Sequence, residues 1–257
     1  MYKGNLNACD VKSGGRRVAN SIDQEKDAGF PLFFCEASDD LGRYKDIQLK
    51  VQRIADHFPV DTYPKVLDVC SGLGHFAGEL QSRGYTVTGV ELSAEQVNKA
   101  RQLHGGVRFL VGDMGEVPQE EFDMVLNTYS SFGYRPTVAE DQKVLGSWYA
   151  AMRHEGVLIM ELTDLERAKE SFNYPNSVIV RDNGIIKEEL RCDWQNQMLY
   201  VCYKKGEQRY NGFTRLYSQE QLSDMLKAAG FRSIKLAGDF NGSQKKPTDR
   251  LVITCLK

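Results

Sequence analysis

The sequence predicts an α/β protein. The expected architecture is a Rossmann-like, doubly wound, mostly parallel sheet with an antiparallel β insertion and an N-terminal helical lid. Three observations carry that expectation. Short apolar runs alternate with helical patterns between residues 65 and 162, the texture of strand–helix–strand units. The first run, Val66-Leu67-Asp68-Val69, opens into Cys70-Ser71-Gly72-Leu73-Gly74, a glycine-rich turn at the head of a helical stretch. Residues 177–216 then switch to successive strand-like runs broken by tight-turn residues.

Residues 1–30 are polar and glycine-containing, a composition that stays flexible without a ligand. Phe30-Pro31-Leu32-Phe33-Phe34 is dense in apolar side chains and needs a surface to bury against. Asp39-Asp40 begin a helical pattern through Leu41, Ile47, Leu49, Val51 and Ile54, which stops at Phe58-Pro59 because the residue before proline disfavours helix. The expected division is a lid segment over 1–60 and a ligand-binding domain over 61–257, with 177–216 as a substrate-side antiparallel insertion.

Within the domain, strands are predicted over 66–69, 86–90, 107–111, 122–127 and 157–162. Helices fill 74–83, closed by Gly84, then 94–103 and 138–152. Ser93 is placed to cap the second of these, with Gln96 at the capping-box position. In the insertion, strands 177–181, 185–194, 197–204 and 208–216 are separated by Asp182-Asn183-Gly184, Gln195-Asn196 and Lys205-Gly206. Ser218 caps a helix over 219–229, and strands 233–238 and 250–256 finish the chain.

In such sheets the ligand sits outside the C-terminal strand ends. The loops expected to converge there are 70–75, 91–93, 112–115 and 127–134. A helix N-terminus behind a glycine turn offers backbone N–H groups to a ligand, and Glu91, ending the second strand, lies where ribose hydroxyls would sit. Gly72-x-Gly74-x-x-Ala77 fits a dinucleotide fingerprint, so a nicotinamide oxidoreductase is one reading. Asp68 argues for another ligand. A carboxylate just before the turn repels a pyrophosphate and attracts the ammonium of a methionine moiety, as in S-adenosylmethionine (SAM).

These residues resemble the class I SAM-dependent methyltransferases, small-molecule branch. The similarity runs through Val66–Gly74, Thr88-Gly89-Val90-Glu91-Leu92-Ser93, Gly112-Asp113-Met114 and Phe122-Asp123-Met124-Val125-Leu126. It extends through Ser131-Phe132-Gly133-Tyr134 and Arg215–Leu222, covering roughly 60–257, with Cys70 where many relatives have glycine. The resemblance implies SAM as cofactor. Asp68 and Gly72 would take its amino-acid end, Glu91 the ribose, and Asp113 the adenine amino group, with Leu92 and Met114 flanking the ring and Ser71, Gly74 and Gly112 also holding the cofactor. Asn127 would border both cofactor and methyl. Asn127-Thr128-Tyr129 is similar to the Asn-Pro-Pro-Tyr signature of nucleobase methylation but lacks both prolines, so that substrate is not carried over.

For catalysis the candidates are Asn127, Tyr129 and Glu161, the last at the end of an apolar strand where burial would raise a carboxyl toward a useful base. His75, Asp164 and Tyr174 are further candidate bases. Arg191 and Arg215 are candidates for pairing with a substrate carboxylate. No His/Asp/Glu spacing demands a metal.

Composition narrows the partners. The chain has 257 residues, 41% hydrophobic and 26% charged, with net charge -2 and no basic stripe, which disfavours nucleic acid. No apolar run spans a bilayer, no signal-peptide core is present, and six scattered cysteines suggest a reduced, cytoplasmic setting. The expected partners are a small-molecule substrate and a second copy of the chain. The leading function is methyl transfer to nitrogen or oxygen of a small molecule, such as a natural product. The alternative on the same fold is a SAM-consuming cyclase in which the methionyl amine attacks its own γ carbon, giving azetidine-2-carboxylate and methylthioadenosine.

Overall fold

The computed structural model describes Phe33, Ala37, Ser38, Asp40–Gly42 and residues 44–257. Residues 1–32 of the expected 1–60 lid therefore lie outside the described residues. Seven strands form the main sheet, in the order β10-β11-β5-β4-β1-β2-β3. They are β1 (Lys65–Val69), β2 (Thr86–Glu91), β3 (Arg108–Val111), β4 (Phe122–Asn127), β5 (Met152–Leu162), β10 (Arg232–Ala237) and β11 (Leu251–Leu256). β11 runs antiparallel to both β5 and β10, while β1 to β5 pair in parallel. The order reverses between β1 and β4, and that switch point opens a crevice beyond their C-terminal ends.

Burial explains the order. Every residue of β4 is buried, as a strand covered by helices on both faces must be. Val125 and, before a register shift, Phe122 join Leu67, Val69, Leu158 and Trp148 in one core layer. Met124 and Leu126 join Val66, Leu80, Val97 and Ile159 in the other. Helices α2 (His75–Ser82) and α3 (Ala94–Leu103) bury Ala77, Leu80, Val97 and Ala100 in the second layer. So does α1 (Ile47–His57), through Ile47, Val51 and Ile54. Helices α4 (Val138–Ala151) and α6 (Gln219–Ala228) close the first layer, and both start with complete capping boxes, Thr137/Glu140 and Ser218/Gln221.

The insertion is a second sheet, β6 (Val178–Asp182), β7 (Lys187–Asp193), β8 (Met198–Lys205) and β9 (Gln208–Arg215), fully antiparallel and in sequence order. Phe33, from the apolar N-terminal cluster, buries against it, with its ring 4.9 Å from Tyr203 and 4.7 Å from Tyr210.

Three local features differ from the sequence reading. A helix absent from that reading, α5 (Leu165–Phe172), follows β5 and is capped by Asp164, whose side chain accepts from Arg167 N. β5 begins at Met152 instead of 157, because Glu155 takes a left-handed φ of 63° and bends the chain without ending the strand. Ser93 caps α3 by accepting from Gln96 N at 3.1 Å, but its own N–H goes to Glu91 Oε1 at 3.0 Å, so the box is not closed by Gln96.

Candidate active site

The site is built at the switch point. Cys70 leaves β1 with φ 59°, and Gly72 and Gly74 follow with φ 55° and 76°. A side chain at Gly74 would be strained by that φ, and its Cβ would fall 2.3 Å from the Phe109 ring. A Cβ on Gly89 would fall 2.6 Å from the same ring. The glycines therefore let the turn lie flat on Phe109, leaving its outer face open to a ligand.

Two carboxylates point toward this turn. Asp68 is 2% exposed and its Oδ2 has no hydrogen-bond partner. Burial, then the neighbouring Glu91 charge, push its pKa up to about 8, against a small opposing effect of the Ala77 N–H. Glu91 is likewise raised, chiefly by burial, and is held by Gly72 N at 3.1 Å and Ser93 N at 3.0 Å. Each oxygen keeps a lone pair for a further donor. The orphaned Asp68 oxygen, near the Glu91 charge, forms a seat for a cation that displaces the Asp68 proton. The ammonium of SAM fits it, and the ribose hydroxyls suit Glu91.

Asn127 ends β4 at 0% exposure. Its Nδ2 donates to Val69 O at 3.0 Å and Ser131 O at 3.4 Å, linking the ends of β1 and β4. Two carbonyl partners fix the amide orientation and leave Oδ1 buried without a donor. Tyr129 and Ser130 follow with φ 55° and 64°, an uncommon conformation for such side chains. The loop is stitched in place by Ser130 N to Glu161 O at 2.9 Å and Thr163 N to Ser130 Oγ at 2.7 Å. On its far side Arg215 N donates to Gly133 O at 2.8 Å, and Thr214 Oγ1 to Phe132 O at 3.1 Å.

This geometry is matched by known proteins. Residues 66–156 match the family described as methyltransferase domain. The chain carries a methyltransferase domain over those residues and is similar to SAM-dependent methyltransferases. YqeM of Bacillus subtilis (strain 168) is 23% identical to this methyltransferase over 231 residues, 78% of this chain and 91% of that one. A SAM-dependent methyltransferase from Clostridium acetobutylicum superposes with a TM-score of 0.72 at 18% identity, covering 87% of this chain and 97% of that one. SAM-bound CalS10, an amino pentose methyltransferase from Micromonospora echinaspora, superposes at 0.66 with 21% identity and the same coverage. At such identities the structural likeness is one of fold. Among the described residues no helix is long and apolar enough to cross a membrane.

The remaining sequence-predicted residues of the methyltransferase fall into two groups. Leu92 is 61% exposed beside Glu91, Gly112 N donates to Glu91 O at 2.9 Å, and Met114 O accepts from Trp148 Nε1 at 2.7 Å. Asp113 Oδ1 is engaged by the Arg135 guanidinium and by Gly115 N. Ser71 Oγ is buried and unpartnered under the turn. Glu161 is 2% exposed and bound to Lys50 Nζ at 2.8 Å, with Tyr129 N at 3.3 Å on its other oxygen. Tyr129 does face cations, but the enzyme's own, with Lys50 Nζ 4.7 Å and the Arg250 guanidinium 5.9 Å from its ring centre.

The other candidate bases have packing or capping roles. His75 packs on the Tyr44 and His104 rings, Asp164 caps α5, and Tyr174 is 55% exposed against Trp194. Arg215 spends its guanidinium on Pro136 O and Asn196 O. Lys50 and Arg250 escaped the sequence reading because their significance depends on partners distant in the chain.

Two predictions arise here. If Glu91 accepts from the ribose, Glu91→Ala should weaken SAM binding by roughly 1.5–3 kcal/mol, measured by calorimetry. Unchanged affinity would overturn the ribose assignment. Gly133 has φ 96°, and a Cβ there would fall 2.7 Å from Arg215 O, a backbone atom. Gly133→Ala should cost about 2–4 kcal/mol in denaturant unfolding, with SAM affinity changed less than about threefold.

Proposed function

We propose that the enzyme transfers the methyl group of SAM to a nitrogen or oxygen of a small-molecule acceptor. The observation that carries this reading is Asn127 Oδ1, a buried acceptor fixed in direction by the two carbonyls on its amide nitrogen. It is suited to take a hydrogen bond from an acceptor N–H or O–H and so aim the lone pair. Bound SAM supplies a methyl group on a sulfonium, already activated for displacement. The new bond forms as the carbon–sulfur bond breaks, and the acceptor's proton passes to water.

In this reading Asn127 and Tyr129 are the catalytic residues, and Asp68, Ser71, Gly72, Gly74, Glu91, Leu92, Gly112, Asp113, Met114 and Asn127 hold the cofactor. Glu161 is a positioning residue, because Lys50 occupies it while it anchors Tyr129 and Ser130. An amine acceptor attacks while neutral and needs no carboxylate base. CalS10, acting on an amino pentose, is a precedent for such an acceptor on this fold.

The test is mass spectrometry of the adenosyl product, with SAM alone and with SAM plus a metabolite extract. S-adenosylhomocysteine made only with extract supports the reading. Methylthioadenosine made without extract, above the spontaneous rate, would replace it with intramolecular cyclisation.

A further inference from the structure

Two guanidinium groups stand at the acceptor side of the site without an anion. Arg250 immediately precedes β11, where Leu251 pairs with Leu162 at the C-terminal end of β5, so it emerges among the ligand loops. Its Nη1 donates to Ser130 Oγ at 2.9 Å. Arg167, in the first turn of α5, gives Nε to Thr248 O at 3.0 Å and Nη1 to Thr163 Oγ1 at 3.2 Å. These partners are all neutral. No carboxylate among the described residues lies within 4.0 Å of either guanidinium. The nearest carboxylates are committed, Glu161 to Lys50 at 2.8 Å and Asp164 to Lys245 at 3.2 Å.

The two groups also feel each other. Burial first, then the charges of Arg250 and Arg181, push Arg167 below its ordinary value, against a smaller opposing pull from Glu161 and Asp164. Arg181 itself has Glu188 at 3.0 Å. Like charges brought together beside the catalytic loop, with N–H donors to spare, are compensated when an anion arrives between them.

We infer that Arg250 and Arg167 seat an oxyanionic group, a carboxylate or phosphate, carried by the methyl acceptor. The inference rests on the methyl-transfer reading and narrows its substrate to acidic small molecules. Arg250 is placed to read the end of the acceptor remote from Asn127, because it holds Ser130 and lies over Tyr129 in the same loop.

The experiment offers a pooled low-molecular-mass metabolite extract, split on an anion exchanger at pH 8, with SAM to the full-length wild type, Arg250→Gln and Arg167→Gln. S-adenosylhomocysteine should form with the retained fraction. Each variant should need roughly tenfold or more of that fraction for half-maximal rate, with SAM affinity unchanged as the check on folding. Capping carboxylates with carbodiimide and methylamine, or treating with phosphatase, then shows which oxyanion is read. Acceptor activity only in the unretained fraction, or wild-type response in both variants, would overturn the inference and leave methyl transfer standing. Failure of every fraction to give S-adenosylhomocysteine would instead remove the methyl-transfer reading, and this inference with it.

Discussion

Asp68→Asn is expected to stabilise the ligand-free enzyme while weakening SAM binding roughly 10- to 100-fold. The sign follows from linkage. The folded-state pKa of Asp68 lies near 8, above its ordinary value of 3.8, so the folded protein binds this proton more tightly than the unfolded chain. Wild-type stability is therefore highest below the lower value and falls as pH rises toward the upper one. Asparagine does not titrate, so the variant escapes that loss. At pH 8 the gain should be about 2–5 kcal/mol in denaturant unfolding, shrinking to little at pH 4. The same proton must leave when an ammonium binds. SAM affinity of the wild type should thus rise with pH between about 6 and 8, and calorimetry in buffers of different ionisation heat should detect proton release. Equal stability of variant and wild type at pH 8 would mean that Asp68 is not strained by burial.

Lys50→Met should be the most damaging single change on α1. It leaves Glu161, 2% exposed, without the ammonium 2.8 Å away. Removing one partner of a buried pair costs about 3–5 kcal/mol, mostly for stranding the other charge. Part of the loss should return when Glu161→Gln is added, since the amide carries no charge. Denaturant unfolding of the four members of this cycle measures the coupling. A loss below about 1 kcal/mol in Lys50→Met would show that water replaces the ammonium and that α1 does not hold the catalytic loop.

Much of this site could be read from local chemistry. The turn after Val69 announces itself through the spacing of Gly72 and Gly74, and Glu91 through its place at the end of a short apolar run. Ser93 signals the start of α3 by residue type alone. These depend on neighbours within a few residues. What resisted reading depends on tertiary contact. Glu161 looked like a free base because nothing nearby in sequence names Lys50 as its partner. Asp164 looked like another, although its job is to cap a helix of eight residues, too short for a clear periodic signal. The early start of β5 was hidden by Gly156, which reads as a break, while the bend at Glu155 keeps the strand going.

The paired bonds from Thr214 and Arg215 to Phe132 and Gly133 give the second sheet an exchangeable character. β6 to β9 form one contiguous stretch of chain that meets the 127–134 loop through the end of β9, whereas the glycine turn lies between β1 and α2 in the other sheet's layer. Replacing that stretch by another with the same junction should leave the glycine turn and its strands folded. The splice has a fixed condition: a glycine at 133, and a strand end that presents its amide and hydroxyl at the register of 214 and 215.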